Sequence, residues 1–291
     1  MKTSKTAGVV FVILSAVIFG LMPLMTKTIF AHGGNAYTAA FFRFAIGAVI
    51  LGLIVKIFTH GKLFIGGRKI LVILGLSTFY ALMLSLLYSS YSHIDSGLAT
   101  TLHFTYPAAV ILLQLLLFRM KPKVRELICL ALAVAGVFLM NFRGGEAGPL
   151  GIVLAVGSGV AYAFYIALYG HSIVKDLSSL VLSFWISVFA AAELAVFITV
   201  TGNWSFPADA LGWGMTAVLA VSADVLALVL FQAGLRSVGG VAASLLSTFE
   251  PVTGLLVGVA VFREELTVLS VIAVALILAS VVILLAKREN S

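Results

Sequence analysis

The sequence predicts an all-α polytopic membrane protein with ten transmembrane helices in two inverted five-helix repeats. Composition, the spacing of apolar runs and an internal duplication predict it. Of the 291 residues, 62% are hydrophobic and only 10% are charged, against roughly 45–50% and about 25% in a soluble domain. The mean hydropathy is +1.19. So many apolar side chains leave too little polar surface to cover a water-soluble fold, which excludes a globular domain, a disordered chain and a coiled coil. The pI is about 9.6. However, 18 Lys and Arg against 11 Asp and Glu are dispersed between apolar runs instead of gathered on one patch, which excludes nucleic acid as a partner. The single cysteine, Cys129, lies in an apolar segment and precludes an intramolecular disulfide.

A hydrocarbon core about 30 Å thick takes roughly 20 apolar residues per helix. Runs of that kind cover 7–30, 35–58, 69–91, 96–119, 123–141, 149–170, 178–201, 209–234, 239–262 and 266–287. They are continuous instead of alternating, which excludes a β-barrel. The first run follows Lys2 and Lys5; it is too long for a signal-peptide core and lacks a small-x-small cleavage site, so it reads as a retained span. Short breaks carry turn residues, as in His32-Gly33-Gly34, Gly66-Gly67-Arg68, Arg143-Gly144-Gly145 and Gly239-Gly240. No connection is long enough for a soluble domain.

Cytoplasmic loops collect Lys and Arg. With ten spans and the N-terminus inside, one side receives Lys2, Lys5, Lys56, Lys62, Arg68, Lys69, Arg119, Lys121, Lys123, Arg125, Lys175, Arg236, Lys287 and Arg288. The other receives Lys27, Arg143 and Arg263, and Arg43 lies within a span. A nine-span reading breaks this asymmetry in the second half. Both termini are therefore expected in the cytoplasm. The lack of a transit or retention signal favours a bacterial cytoplasmic membrane.

An offset of 143–144 aligns the halves 1–145 and 146–291. It places Gly8, Ser15 and Val17 on Gly151, Ser158 and Val160, and Ala99, Pro107, Phe118 and Arg119 on Ala243, Pro251, Phe262 and Arg263. Five spans per half is an odd number, so the copies must be inverted. That is the plan of secondary transporters, with a solute site near the midplane between the halves.

These segments also carry a resemblance. Ala36–Phe44, with Phe41-Phe42-Arg43-Phe44, resembles the start of the second span in the EamA family of the drug/metabolite transporter superfamily. Gly240–Thr267 is similar to that family's ninth span and the turn after it. It contains Ala242-Ala243-Ser244-Leu245-Leu246, Glu250-Pro251-Val252 and Glu265-Leu266-Thr267. The matching first-half stretch is Ser96–Pro107, where Tyr106 replaces the counterpart of Glu250. The resemblance covers essentially the whole chain. It implies a carrier that exports amino acids, metabolites, drugs or cations, without separating these substrates.

Charges inside spans are the first functional candidates, since each costs about 2.5–3.5 kcal/mol near a helix centre. At 1.5 Å per residue, Asp224 and Glu250 lie about 15 and 16 Å from the cytoplasmic ends of spans 8 and 9. Two acids at similar depth form a candidate site that binds a substrate ammonium or carries protons; the bland alternative is a structural hydrogen bond. Arg43 and Glu193 each lie eight residues from the outer ends of spans 2 and 7, so they are candidates for a structural ion pair, with outward snorkelling of Arg43 or recognition of an anion or carboxylate as the alternatives. Pro107 and Pro251 are repeat-related candidates for hinges, or for static kinks; Pro23 is a further helix breaker. Ser247, Pro251, Gly254 and Gly258 share one face of span 9, with Gly254 and Gly258 spaced for helix packing. Tyr80, Tyr106, Tyr162 and His103 are candidates to line the pocket, and Tyr165 and Tyr169 continue the stripe on span 6; helix packing is the alternative for all of them.

No zinc-protease, phosphate-loop or clustered Cys/His pattern is present, so neither catalysis nor a cofactor nor a metal is expected. The expected partners are the lipid bilayer, a small organic solute and protons, with the monomer sufficient. The leading expectation is export of an aromatic or bulky apolar amino acid by alternating access, through a central cavity between spans 1, 3 and 4 and spans 6, 8 and 9. A proton-coupled exporter of cationic drugs and a non-transporting membrane scaffold remain the alternatives.

Overall fold

The computed structural model describes residues 4–58, 65–141, 148–262 and 267–286. Lys2, Lys62, Arg143, Arg263, Glu265, Lys287 and Arg288, used above for orientation and resemblance, lie outside them. Every regular element among the described residues is helical. In chain order they are α1 (Lys5–Ala31), α2 (Ala36–Phe58), α3 (Gly67–Ser90), α4 (Ser96–Phe118) and α5 (Val124–Asn141). The second half runs α6 (Pro149–His171), α7 (Ser179–Thr201), α8 (Ala210–Val238), α9 (Gly240–Leu246 and Phe249–Phe262) and α10 (Val268–Leu285). Nine of these are long and apolar enough to cross a membrane among the described residues; α5, with 18 residues, is the tenth of the series.

The helices begin where short polar side chains cap them. Ser4, Asn35, Ser178, Asp209 and Thr267 accept from the amides of Ala7, Thr38, Val181, Gly212 and Ser270 at 2.9–3.3 Å. Such caps satisfy amides that no preceding turn can reach. Outward faces are apolar: Leu71 is 70% exposed and Val200 is 81% exposed, as a lipid-facing surface requires.

Several spans are interrupted. α1 breaks at Gly20-Leu21 and restarts at Met22 with Pro23 in its first turn. α4 breaks at Phe104-Thr105 before Tyr106 and Pro107, and α9 at Ser247-Thr248 before Phe249, Glu250 and Pro251. The prolines therefore sit in the first turn of a restarted helix, where no hydrogen bond is lost; the break itself precedes them. In α8 the segment Ala220–Leu228 is a π-helix. The repeat offset is 143 at the starts of α2 and α7 and 144 at the starts of α4 and α9. A π-bulge adds one residue to a helix, and this one lies between those two points.

The contacts show how the halves are joined. The most extensive pairings are α5 with α10, α3 with α6, α2 with α7 and α1 with α8. Pairings come in couples: α1–α8 with α3–α6, α3–α7 with α2–α8, and α4–α6 with α1–α9. A pseudo-two-fold relation between five-helix halves produces this pattern, and it makes the interface between halves the main packed core.

The described ends of the spans form two faces. Lys5 and the ends of α2, α4, α6 and α8 define one, the Lys5 face; His32 and Asp209 lie at the other, the His32 face. There the α1–α2 turn is tied to the α7–α8 loop. His32 Nδ1 lies 2.6 Å from Asp209 Oδ2, Ala208 N donates to His32 O (2.8 Å), Asn35 donates to Asn203 O (2.7 Å) and Thr38 to Ser205 O (2.6 Å). The Lys5 face holds a cavity of about 330 Å³ among α4, α5, α6 and α9, lined by Gln114, Lys121, Lys123, Glu126, His171 and Gly240.

Candidate functional site

Residue 43 brings Arg43 into the centre of the half–half interface, fully buried. Its Nε lies 3.9 Å from Asp224 Oδ1 on α8, and both side chains are 0% exposed. The guanidinium also donates to Tyr80 Oη (3.0 Å), Tyr88 Oη (3.3 Å) and Ala223 O (3.3 Å), and reaches Met22 Sδ at 3.1 Å. Its carbon stands 5.5–5.9 Å from the ring centroids of Phe44, Phe19 and Tyr80, within range of cation–π attraction. Asp224 Oδ2 is 2.6 Å from Ser187 Oγ. The wide turn of the π-helix sets Ala223 O and Asp224 toward Arg43 together.

This arrangement has a repeat logic. Tyr80 on α3 falls on Asp224 of α8 at the offset of 144, whereas Arg43 on α2 falls on Ile186 of α7, one residue before Ser187, at the offset of 143 that holds there. Arg43 bonds Tyr80 and Ser187 bonds Asp224, each within its own half, and Arg43 meets Asp224 across the halves. Gly47 makes room for it: a methyl group there would overlap the Asp224 carboxylate.

The expected Arg43–Glu193 ion pair is not what the structure contains. Glu193 is half-buried and receives the hydroxyls of Ser77 and Thr78 on α3 at 2.8 and 3.0 Å. Equal depth on two helices says nothing about which way each is rotated, and rotation turns Arg43 toward Asp224 on α8 and Glu193 toward Ser77 and Thr78 on α3.

The aromatic candidates do assemble. Tyr80 stacks near Tyr165 and Tyr162 (centroids 5.0 and 6.2 Å), and Tyr162 meets Tyr106 and His103 at 4.8 and 5.6 Å. His103 Nδ1 is 2.9 Å from Ser158 Oγ, and Tyr106 donates to Ser244 O (3.3 Å). The region expected as a central cavity is filled here: Tyr80, Tyr106, Tyr162 and His103 are all buried. Pro107 and Pro251 flank it, each just after a helix break. Gly254 faces α1, with Gly20 O in van der Waals range; the surroundings of Gly258 lie outside the description.

Glu250 starts the second segment of α9 and is 8% exposed. Gly20 lets the break in α1 press on the Glu250 backbone, since a side chain there would strike Glu250 O.

A model described as the EamA-like transporter family matches residues 6–142 and again residues 149–286. The chain belongs to the EamA-like transporter family. It is a multi-pass membrane transporter built from two copies of the family's unit. A protein of Archaeoglobus fulgidus described as an uncharacterized transporter is 28% identical over 278 residues, covering 95% of this chain and 95% of its own. A Synechocystis sp. protein of the same description is 29% identical over 213 residues, covering 70% of this chain and 63% of its own. A solved crystal structure shares the fold with a TM-score of 0.81 at 16% identity, over 99% of this chain and 100% of that one.

Several residues of this EamA protein's core escaped the sequence reading. Ser187, Tyr88, Met22 and Gly47 all touch the Arg43–Asp224 centre, and Gln232 is fully buried beside Tyr165. A signal existed for two of them: at the offset of 144 that holds beyond the π-helix, Gln232 and Tyr88 are repeat counterparts.

Proposed function

We propose that this EamA protein is a secondary carrier that exports a small amphipathic organic solute, an aromatic or bulky apolar amino acid first, by alternating access between residues 1–145 and 146–291. The observation that carries the reading is the buried centre itself. Arg43, Tyr80, Ser187 and Asp224 come from both halves and meet at their interface, so any rocking of one half against the other changes their contacts. Aromatic side chains beside them suit a flat, partly apolar solute. In this reading Asp224 and Glu250 hold the polar end of the solute or a proton. Tyr80, Tyr106, Tyr162 and His103 line its path, and the breaks before Pro107 and Pro251 bend.

Among the described residues Lys5, Lys56, Arg68, Lys69, Arg119, Lys121, Lys123, Arg125, Lys175 and Arg236 belong to the Lys5 face, against Lys27 at the other. This supports a cytoplasmic Lys5 face in a bacterial cytoplasmic membrane. The ties between His32–Thr38 and Asn203–Asp209 together with the cavity at the Lys5 face fit a form closed to the outside. One chain contains both halves of the interface, so a monomer suffices.

The test is flux of labelled phenylalanine through the purified protein in liposomes, with and without an imposed pH gradient. Protein-dependent flux supports the carrier; none in folded protein removes the amino-acid assignment. A cationic solute driven by protons is the second reading, favoured by Glu250, an acid inside a span that is only 8% exposed.

A further inference from the structure

The buried centre does not account for the cavity at the Lys5 face. That cavity is bounded by α4 at Gln114, by the α4–α5 turn at Lys121 and Lys123, by the end of α6 at His171 and by the α8–α9 turn at Gly240. Its volume of about 330 Å³ lies at the small end of ligand sites, which span about 300–1,000 Å³. Gln114 is eight residues beyond Tyr106 on α4, and His171 is nine beyond Tyr162 on α6. At 1.5 Å per residue the cavity is about 12–14 Å from the aromatic centre along both helices. The intervening Val110 and Ile166 are buried. The cavity therefore sits apart from the centre, at the depth of the span ends, where lipid headgroups lie.

Its walls are built for an anion. The ion pairs among the described residues are His32–Asp209 and Arg43–Asp224, so no described carboxylate neutralises Lys121 or Lys123. Glu126 also lines the cavity, but its Oε2 turns back to accept from the Lys123 amide at 2.9 Å. Gln114 is 9% exposed. Gly240 leaves room for its amide, since a methyl group there would come within 2.9 Å of Gln114 Nε2. On the opposite wall His171 is fixed by stacking on Phe118 (centroids 3.6 Å) and by Nδ1 at 3.0 Å from Ala167 O. Two ammonium groups beside a primary amide suit a ligand with several charged acceptor oxygens, as a phosphate has. The same turn is flanked by exposed apolar side chains, Leu116 and Leu117 on α4 and Val124 and Ile128 on α5. A phosphate that carries acyl chains matches both features, and basic pockets between spans take anionic headgroups.

We propose that this cavity binds a phosphate group, that of an anionic phospholipid, with Lys121, Lys123 and Gln114 holding the phosphate oxygens and the acyl chains lying against Leu116, Val124 and Ile128. Lys121 and Lys123 come from one half, His171 and Gly240 from the other, so an occupant spans the interface between halves at this face. A ligand favours whichever form holds it better, so the lipid biases the protein toward the form that has this cavity. The site goes beyond the carrier reading and does not depend on it, because its test reads binding and not flux.

The experiment is the melting midpoint of the full-length protein in detergent, titrated with dioctanoyl phosphatidylglycerol, dioctanoyl phosphatidylcholine or inorganic phosphate. A ligand of the folded state raises the midpoint with its concentration. Phosphatidylglycerol is expected to do so, and phosphatidylcholine is not. In Lys121→Gln/Lys123→Gln the phosphatidylglycerol concentration needed for a given shift should rise at least about tenfold, and in Gln114→Leu several-fold. Arg68→Gln/Lys69→Gln, which alters basic residues of the same face that do not line the cavity, should keep the wild-type response. Both cavity lysines are exposed, so their variant keeps the test open should Gln114→Leu not fold. An equal response to inorganic phosphate, lost with the two lysines, supports the phosphate site and assigns its source to the free ion instead of a lipid. An equal response to phosphatidylcholine, an equal loss in Arg68→Gln/Lys69→Gln, a wild-type response in Lys121→Gln/Lys123→Gln, or no response in folded wild type overturns the proposal.

Discussion

At the scale of residues, the Arg43–Asp224 pair decides the character of the core. Moving two charges out of water costs several kcal/mol per ion, and their attraction roughly returns it only when the remaining donors are satisfied. Here Tyr80, Tyr88 and Ala223 O take three of the guanidinium contacts. Removing one partner from such a pair costs about 3–5 kcal/mol, because the other charge is stranded. Arg43→Met is therefore expected to lower the melting midpoint of the purified protein sharply, and Asp224→Leu in the same chain to recover much of the loss. If the double variant melts lower than either single one, the two residues are not paired. Gly47→Ala should cost about 1–3 kcal/mol through overpacking, and the cost should fall in an Asp224→Ala background; equal costs in both backgrounds would refute the contact. The identity of both charges was legible in the sequence, since charges inside apolar runs stand out. Their pairing was not, because depth along a helix leaves its rotation free.

At the scale of elements, the π-helix of α8 does what a regular helix cannot. It carries Asp224 to Arg43 and shifts the repeat register from 143 to 144. Deleting Ser222 should remove the wide turn and restore a regular α-helix whose flanks keep their faces while Asp224 turns away from Arg43. In that background Asp224→Asn should no longer change the melting midpoint, whereas it should in the wild type. An unchanged Asp224→Asn effect would show that the wide turn does not orient the acid. The sequence announced three helix breaks through Pro23, Pro107 and Pro251. It placed them at the prolines, whereas the chain breaks two to four residues earlier, since proline is welcome in a first turn and unwelcome after one. The π-turn carried no proline and showed only as a one-residue change in offset, too small to separate from noise without the structure.

At the scale of the molecule, the His32 face is tied by contacts between the two halves. The carboxyl of Asp209 is held below the usual carboxylate range, first by the Gly212 amide and then by His32. A depressed carboxyl contributes stability that is present above its ordinary titration and is lost as pH falls through its lowered value. The group is exposed, so salt screens the effect and it remains small. Acidifying the His32 side, or Asp209→Asn at neutral pH, should therefore open that face more often. A cysteine at Ala39, which is 1% exposed, in a Cys129→Ser chain should then react a few-fold faster with a water-soluble maleimide. An unchanged rate in both conditions would mean that these ties do not hold the face shut.

By itself the sequence determined the membrane class, the places where helices cross, the duplication that makes two halves, and the few charges and aromatics able to do chemistry. Those properties are local: hydropathy, span length, odd span count and residue type are read along one dimension. Tertiary structure alone decided that Arg43 closes on Asp224 while Glu193 turns to Ser77 and Thr78, that the tyrosines fill the centre, and that Glu250 is enclosed at the break in α9. Each of those depends on how helices from different halves rotate against one another, and rotation is fixed by side chains interlocking across the interface, more than a hundred residues apart in the chain.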